Sequence, residues 1–304
     1  MRAIATWLFN KPYLLLTIVA MSWGGNAVAG KMAAGVIPPF TLTFLRWVLT
    51  ALALYILARP MLAEHMPTIK QRWRYMFFCG AVGFATFNFA LYGALNFTSA
   101  INVAIEQSGM PMVIMLLTYL IYREPVTPLQ IIGACLSIFG VIWTATRGVP
   151  SALFTLDVNV GDAIMLIGVL AYGIYSVALK SKPDMPWQVF VFCLSVAAMI
   201  TAFPAALIEM STGALPAADW RTPALLAFVV LFPSLLAQVF YVRGVELIGA
   251  SRAGLFINLV PVFAAVFAVL LLGETFFPYH SIGLALVIGG IMLSEASARR
   301  QRVA

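Results

Sequence analysis

Charge is scarce in this chain. Of its 304 residues only 10% are Asp, Glu, Lys or Arg, against roughly 25% in a soluble globular protein. With 62% of the residues hydrophobic and a mean hydropathy of +0.98, there is too little polar surface to cover a globule in water, and the chain needs a bilayer as solvent. Cysteine is scarce as well. Cys79, Cys135 and Cys193 each sit in an apolar run without CxxC or CxxH spacing. That excludes a disulfide framework or a zinc site and points to buried, inert thiols. The two histidines, His65 and His280, fall near expected loops with no partner at metal-ligand spacing, so no metal or cofactor is expected. A complete phosphate-binding GxxxxGK[ST] loop is absent, which excludes ATP as the direct energy source within the chain. GxSxG, HExxH and paired intramembrane aspartates are absent too, which argues against an enzyme.

Positive charge is in excess, with a formal net charge of +7, but it comes in short clusters between apolar runs. Arg59, Lys70, Arg72 and Arg74 form one cluster, Lys180 and Lys182 a second, and Arg299, Arg300 and Arg302 a third. Such clusters orient a membrane protein; they do not track a phosphate backbone, and no nucleic-acid partner is expected.

A bilayer core of about 30 Å takes about 20 apolar residues per helix. Ten segments meet that demand, near 13–31, 39–58, 75–95, 99–121, 128–146, 161–180, 187–208, 223–242, 252–272 and 279–296. The expected fold is therefore an all-α integral membrane protein with ten transmembrane helices. The first segment follows Arg2 and Lys11, and Ala27-Val28-Ala29 resembles a signal-peptidase site. Its length, with Asn26 and Lys31 inside it, favours a retained span. Most Lys and Arg residues fall on one set of alternate loops, while Asp157, Asp162, Glu209 and Asp219 collect on the other. Both termini are thus expected on the cytoplasmic side of the cell (inner) membrane.

The chain repeats itself. At a shift of 150 residues Ala100 meets Ala250, Pro111 meets Pro261, Glu124 meets Glu274, Pro128 meets Pro278, Gly133 meets Gly283 and Gly140 meets Gly290. At 149, Trp23-Gly24 meets Tyr172-Gly173 and Lys31 meets Lys180. The expected units are residues 1–147 and 148–304, five helices each. Five is odd, so the second unit enters from the opposite side, and inverted repeats of this kind are a signature of secondary transporters with a site between the repeats. Pro111 and Pro261 interrupt otherwise apolar fourth and ninth spans, where a proline removes a backbone hydrogen bond. They are candidate hinges; a fixed packing kink is the alternative. Glu124 and Glu274 close those spans and read as turn or capping residues.

Trp23-Gly24 in the first span, Phe44-Leu45-Arg46 in the second and the two Pro…Glu blocks make the chain resemble the EamA branch of the drug/metabolite transporter superfamily over nearly its whole length. The resemblance implies ten spans in two repeats and export of amino acids or other small metabolites. Aromatic amino-acid exporters of that superfamily are similar in layout, although Trp23-Gly24-Gly25-Asn26 is generic to the family.

Polar side chains inside a membrane are costly and mark function. At ~1.5 Å per residue, Arg46, Glu106, Asn26 and Asn88 share one layer roughly 10 Å below the outer surface, with Gln107 beside it. Trp23 and Tyr92 lie on the same spans as Asn26 and Asn88. Arg46 and Glu106 form either a structural ion pair or a pair of anchors, the arginine for a carboxylate and the glutamate for an ammonium group or a proton. The second half offers Tyr172, Tyr175, Gln238 and Asn258, which either line a cavity or pack. The expected function is export of small metabolites, most simply amino acids, aromatic ones among them, by alternating access. Drug or organic-cation efflux is the alternative, and a non-transporting receptor a remote one. The expected partners are a small solute, lipid and, as an optional coupling ion, protons; the expected assembly is a monomer or weak dimer.

Overall fold

In a computed structural model, which describes residues 9–123, 127–149, 159–248, 253 and 255–303, every regular element among the described residues is helical. The first half of the chain forms α1 (Pro12–Ala33), α2 (Pro39–Cys79), α3 (Phe87–Ala94), α4 (Ala100–Gln107), α5 (Met110–Tyr122) and α6 (Pro128–Ala145). The second forms α7 (Val160–Ala178), α8 (Trp187–Ser211), α9 (Arg221–Val229), α10 (Ala237–Ile248), α11 (Val260–Phe267) and α12 (Pro278–Val303). Six helical stretches are long and apolar enough to cross a membrane: Pro12–Ala33, Pro39–Ala94, Ala100–Tyr122, Val160–Ser181, Trp187–Ser211 and Arg221–Gly244. Pro128–Thr144 and Val260–Leu272 are shorter apolar helices.

Local chemistry sets the helix starts. Pro12, Pro39, Pro128 and Pro278 open their helices, where a missing N–H costs nothing. Thr127 and Gln130 form a reciprocal capping box at α6: Gln130 N–H donates to Thr127 Oγ1 at 3.1 Å and Thr127 N–H to Gln130 Oε1 at 2.8 Å. Two other starts are capped from far away in the chain. Glu209 near the end of α8 accepts the Thr41 N–H at 2.6 Å and the Thr41 hydroxyl at 2.7 Å, at the first turn of α2. Glu274 accepts the Ala100 N–H at 2.9 Å and the Ile101 N–H at 3.3 Å, at the first turn of α4. A carboxylate at a helix N-terminus satisfies orphan donors and meets the positive end of the dipole. Glu274 thus caps a helix 174 positions away, not the turn it sits in; Glu124 lies outside the described residues.

Three expectations need correction. The second and third apolar runs are not separate helices joined by a loop. Residues 59–74 continue as helix through Pro60 and Pro67, and the path breaks only at Arg72 (φ −111°, ψ 15°). Most of that segment is Ala, Leu, Met, Glu, Lys, Arg and Gln, good helix formers that keep the helix going past the apolar run. Pro111 and Pro261 are not in helix interiors. The fourth span divides at Ser108–Gly109 and restarts at Met110, and the ninth changes from a 3₁₀ turn (Leu255–Leu259) to α11 at Val260, so each proline is the second residue of its helix. Cys135 is exposed, unlike buried Cys79, because an apolar helix in lipid has an outward face as well as a packed one.

Wide π-helical turns recur at related places. Gly80–Thr86 joins α2 to α3 and Val230–Leu236 joins α9 to α10, 150 positions apart at both ends. The extra width lets Thr86 Oγ1 donate to Ala81 O at 3.0 Å and Ser234 Oγ to Val229 O at 2.6 Å, both five residues back.

Helix α6 lies along α12 through small residues. A Cβ on Gly140 would stand 2.8 Å from Gly283 O, and one on Gly283 would stand 3.1 Å from Gly140 O. Ser137 Oγ donates to Val287 O at 3.2 Å across the same seam. These contacts need backbones in touch, as small residues permit in membranes. Gly140→Val is expected to destabilise the detergent-solubilised protein by about 1–3 kcal/mol, the usual cost of overpacking. Gly289→Val, where a Cβ meets nothing within 4 Å, is expected to leave thermal unfolding unchanged.

Candidate functional site

Arg46 lies two turns into α2 and is only 3% exposed. A buried guanidinium demands partners, and four neutral groups supply them. Nε donates to Ser234 Oγ at 2.6 Å, and Nη1 donates to Asn88 Oδ1 at 2.8 Å, to Asn26 Oδ1 at 3.2 Å and to the Tyr92 hydroxyl. The cage is itself tied down. Tyr92 O–H donates to Asn26 Oδ1 at 3.0 Å, Asn88 Nδ2 to Phe84 O at 2.6 Å, and Ser234 to the widened turn behind it. The guanidinium carbon sits 5.1 Å from the Trp47 ring centroid and 5.9 Å from that of Tyr92, so ring faces add cation–π attraction. Among the described residues no carboxylate pairs with Arg46, and Nη2 has no hydrogen-bond partner.

A cavity of about 40 Å³ adjoins this cage. The first half lines it with Trp23, Asn26, Arg46, Asn88 and Gln107, and the second with Tyr172 and Gln238. Trp47, Phe84, Phe87 and Met110 complete much of the wall. Arg46 is the only charged lining residue. The aromatic side chains form one connected set: Trp23 lies 5.3 Å from Tyr241 and 6.5 Å from Tyr172, Tyr172 lies 5.1 Å from Phe87, and Trp47 stacks on Phe84 at 4.5 Å. The result is a flat-walled, mostly apolar slot with a cation at one end and amide groups on its sides. A volume of this size holds a few waters, against roughly 300–1,000 Å³ for a formed ligand pocket.

Seven of the residues singled out from sequence thus meet in one cavity. Tyr92 stands behind Arg46 in the cage, and Tyr175 packs behind Tyr172 at 5.4 Å and against Phe84 at 5.6 Å. The side chain of Asn258 lies outside the described residues. Glu106 does not pair with Arg46 and does not line the cavity. It is fully buried on another face of α4, and neither carboxyl oxygen has a hydrogen-bond partner. Counting depth from the helix ends placed Glu106 at the level of Arg46 but not its direction around the helix. Ser234 escaped the sequence reading because its inward aim depends on the widened turn. The one available signal was a serine beside a proline, Pro233-Ser234, within an apolar run.

Comparison with known proteins agrees with this architecture. The model of the EamA-like transporter family matches twice, over residues 10–146 and 159–295. Among curated relatives, the uncharacterized transporter YyaM of Bacillus subtilis (strain 168) is 27% identical over 228 residues, 72% of each chain. The uncharacterized transporter YetK of the same organism is 25% identical over 289 residues, 93% of this chain and 86% of that one. An uncharacterized transporter of Archaeoglobus fulgidus is 24% identical, over 94% of this chain and 98% of that one. A solved crystal structure superposes with a TM-score of 0.66 at 20% identity, covering 95% of this chain and 98% of that chain, which bears on the fold. With both halves matched by one family model and apolar helices throughout, the chain is a multi-pass membrane protein that belongs to the EamA-like transporter family.

Proposed function

We propose that this transporter exports small carboxylate-bearing metabolites, amino acids in the first place and aromatic ones among them, by alternating access. The observation that carries the reading is Arg46. A buried guanidinium held by four neutral groups, with no carboxylate in reach and one amino group without a partner among the described residues, leaves its charge for a solute to neutralise. The aromatic walls suit a flat side chain, and Gln107 and Gln238 carry amide oxygens that can accept from an ammonium group. Organic-cation efflux fits less well, because the cavity's only charge would repel such a solute.

In this reading ten spans form two inverted five-helix units, residues 1–147 and 148–304, with both termini on the cytoplasmic side of the cell membrane. The seam between α6 and α12 supports a two-fold relation. A two-fold requires that if i touches the mate of j, then j touches the mate of i. Gly140 touches Gly283, the mate of Gly133, and a Cβ on Gly290, the mate of Gly140, would meet Gly133 O. Ser137 bonds to Val287, its own mate at the shift of 150. Discontinuous helices at a central site are a recurrent device of such transporters, and the breaks before Pro111 and Pro261 lie beside cavity residues Gln107, Met110 and Val260. Those breaks are the hinges in this mechanism.

Two experiments test the reading. L-Phenylalanine is expected to raise the melting temperature of the purified protein, and phenethylamine, which lacks the carboxylate, is not. Arg46→Gln should weaken L-phenylalanine binding by roughly 10- to 100-fold, as for hydrogen bonds to a charged group, with Arg46→Lys intermediate because it keeps the charge and loses the fork. Equal binding by the arginine and glutamine forms would sink the assignment. In proteoliposomes, Pro111→Ala is expected to slow labelled L-phenylalanine exchange severalfold at unchanged affinity, since the restored N–H lets the helix close across Ser108–Gly109; normal turnover would remove the hinge.

A further inference from the structure

Away from the cavity, α4 carries a second polar cluster. Glu106, at the end of α4, is 0% exposed, and so is Asp162, in the first turn of α7. All four carboxyl oxygens are buried without a hydrogen-bond partner. The two carboxyls nonetheless lie within hydrogen-bonding reach of each other, and Asp162 is the one charged group that bears on Glu106. Thr98 and Asn102 lie within hydrogen-bonding reach of Asp162, but the two carboxylates hold no hydrogen to share with each other. A single proton on either one supplies it, converting two unpaired acceptors into a donor and an acceptor and removing one of two like charges from a site shielded from water.

The surroundings leave that role to a proton. From α12, His280 is buried and fixed at both ring nitrogens: Nδ1 accepts the Phe277 N–H at 3.0 Å and Nε2 meets Asn102 Oδ1 at 3.1 Å. Asn102 turns its amide nitrogen to Thr98 Oγ1 at 3.2 Å. The oxygen of Asn102 is therefore committed to His280, and Thr98 Oγ1, which takes the Asn102 amide and lies by Asp162, leaves the cluster well short of the roughly six oxygens a hard metal cation takes. Lys31 of α1 spends its ammonium on Leu95 O at 3.0 Å and Thr98 O at 2.7 Å. Arg147, after α6, lies within electrostatic reach of Asp162. Arg147, Glu274 and Asp162 all bear on Tyr279 at the start of α12, and α11 presents no titratable side chain to α4.

We propose that Glu106 and Asp162 form a proton-binding pair that couples transport to the proton gradient. The proposal rests on the transporter reading above. One proton binds between the carboxyls when α4 and α7 are together. Separating those helices removes the acceptor that holds it and exposes both groups to water, so the proton leaves as the bundle changes state. Nothing is oxidised or reduced, and one proton enters and one departs per cycle.

Infrared difference spectroscopy on the purified full-length protein reads the pair without a substrate. The wild type is expected to show a protonated-carboxyl C=O band that weakens as the pH is raised. Glu106→Gln and Asp162→Asn, each placing an amide donor opposite the remaining carboxylate, should both lose the band while their melting temperatures stay near that of the wild type. Glu64→Gln, at an exposed site on α2, should keep it. In proteoliposomes, a pH gradient should accelerate labelled L-phenylalanine accumulation severalfold for the wild type and Glu64→Gln but not for Glu106→Gln or Asp162→Asn, while exchange without a gradient persists in all forms. A wild type without the titrating band, a band that survives both substitutions, or accumulation driven by sodium and indifferent to pH would each overturn the proposal. Failure of wild-type exchange would instead count against the transport reading, and the infrared band would still decide the proton pair.

Discussion

The site depends on one electrostatic arrangement: a guanidinium kept inside a membrane bundle with no counter-ion among the described residues. Removing such a charge from water costs on the order of several kcal/mol even after relaxation. The bundle meets that cost with oriented neutral dipoles and ring faces. Asn26 comes from α1, Asn88 and Tyr92 from α3, and Ser234 from the widened turn between α9 and α10. Each of those elements must hold its position for Arg46 to stay satisfied. The cage therefore couples the packing of four helical segments to the state of one charge.

Backbone irregularity is concentrated where that coupling needs it. Two of the three π-helical turns among the described residues, Gly80–Thr86 and Val230–Leu236, reach the site, one through Gly83 and Phe84 in the cavity wall and the other through Ser234, while the third, Ala268–Leu272, does not line it. Such turns often mark functional positions within helices. The divided fourth span does similar work, placing Gln107 and Met110 at the cavity on either side of Ser108–Gly109. Regular helix packing occurs elsewhere, as in the α6–α12 seam, where small residues keep two backbones in contact.

Much of this was legible in the sequence. Scarce charge and long apolar runs fixed the class, and the 150-residue correspondence in proline, glycine and glutamate positions exposed the internal repeat. Depth counting brought Arg46, Asn26 and Asn88 to one level because α-helical rise is regular. The same counting could not fix which way Glu106 faces, since a break at Ser108 follows it, nor reveal Asp162 as its neighbour, since a charge in a first turn reads like any loop-flanking acid. Ser234 was hidden because one extra residue per turn rotates everything beyond it. The helical course of residues 59–74, broken only at Arg72, was masked by charges that resemble a loop in hydropathy but not in helix propensity.

Glu209 and Glu274 give the helix starts of α2 and α4 a further meaning. Both carboxylates come from the second half of the chain, and both hold amides of the first half at Thr41 and at Ala100 and Ile101. These clasps join the halves without any lysine or arginine taking part, so salt screens them less than it would an exposed ion pair. A mouth opening between the halves at those helix starts has to undo both clasps and wet five backbone or hydroxyl donors at once, the Phe40 N–H among them, which makes partial gaping costly.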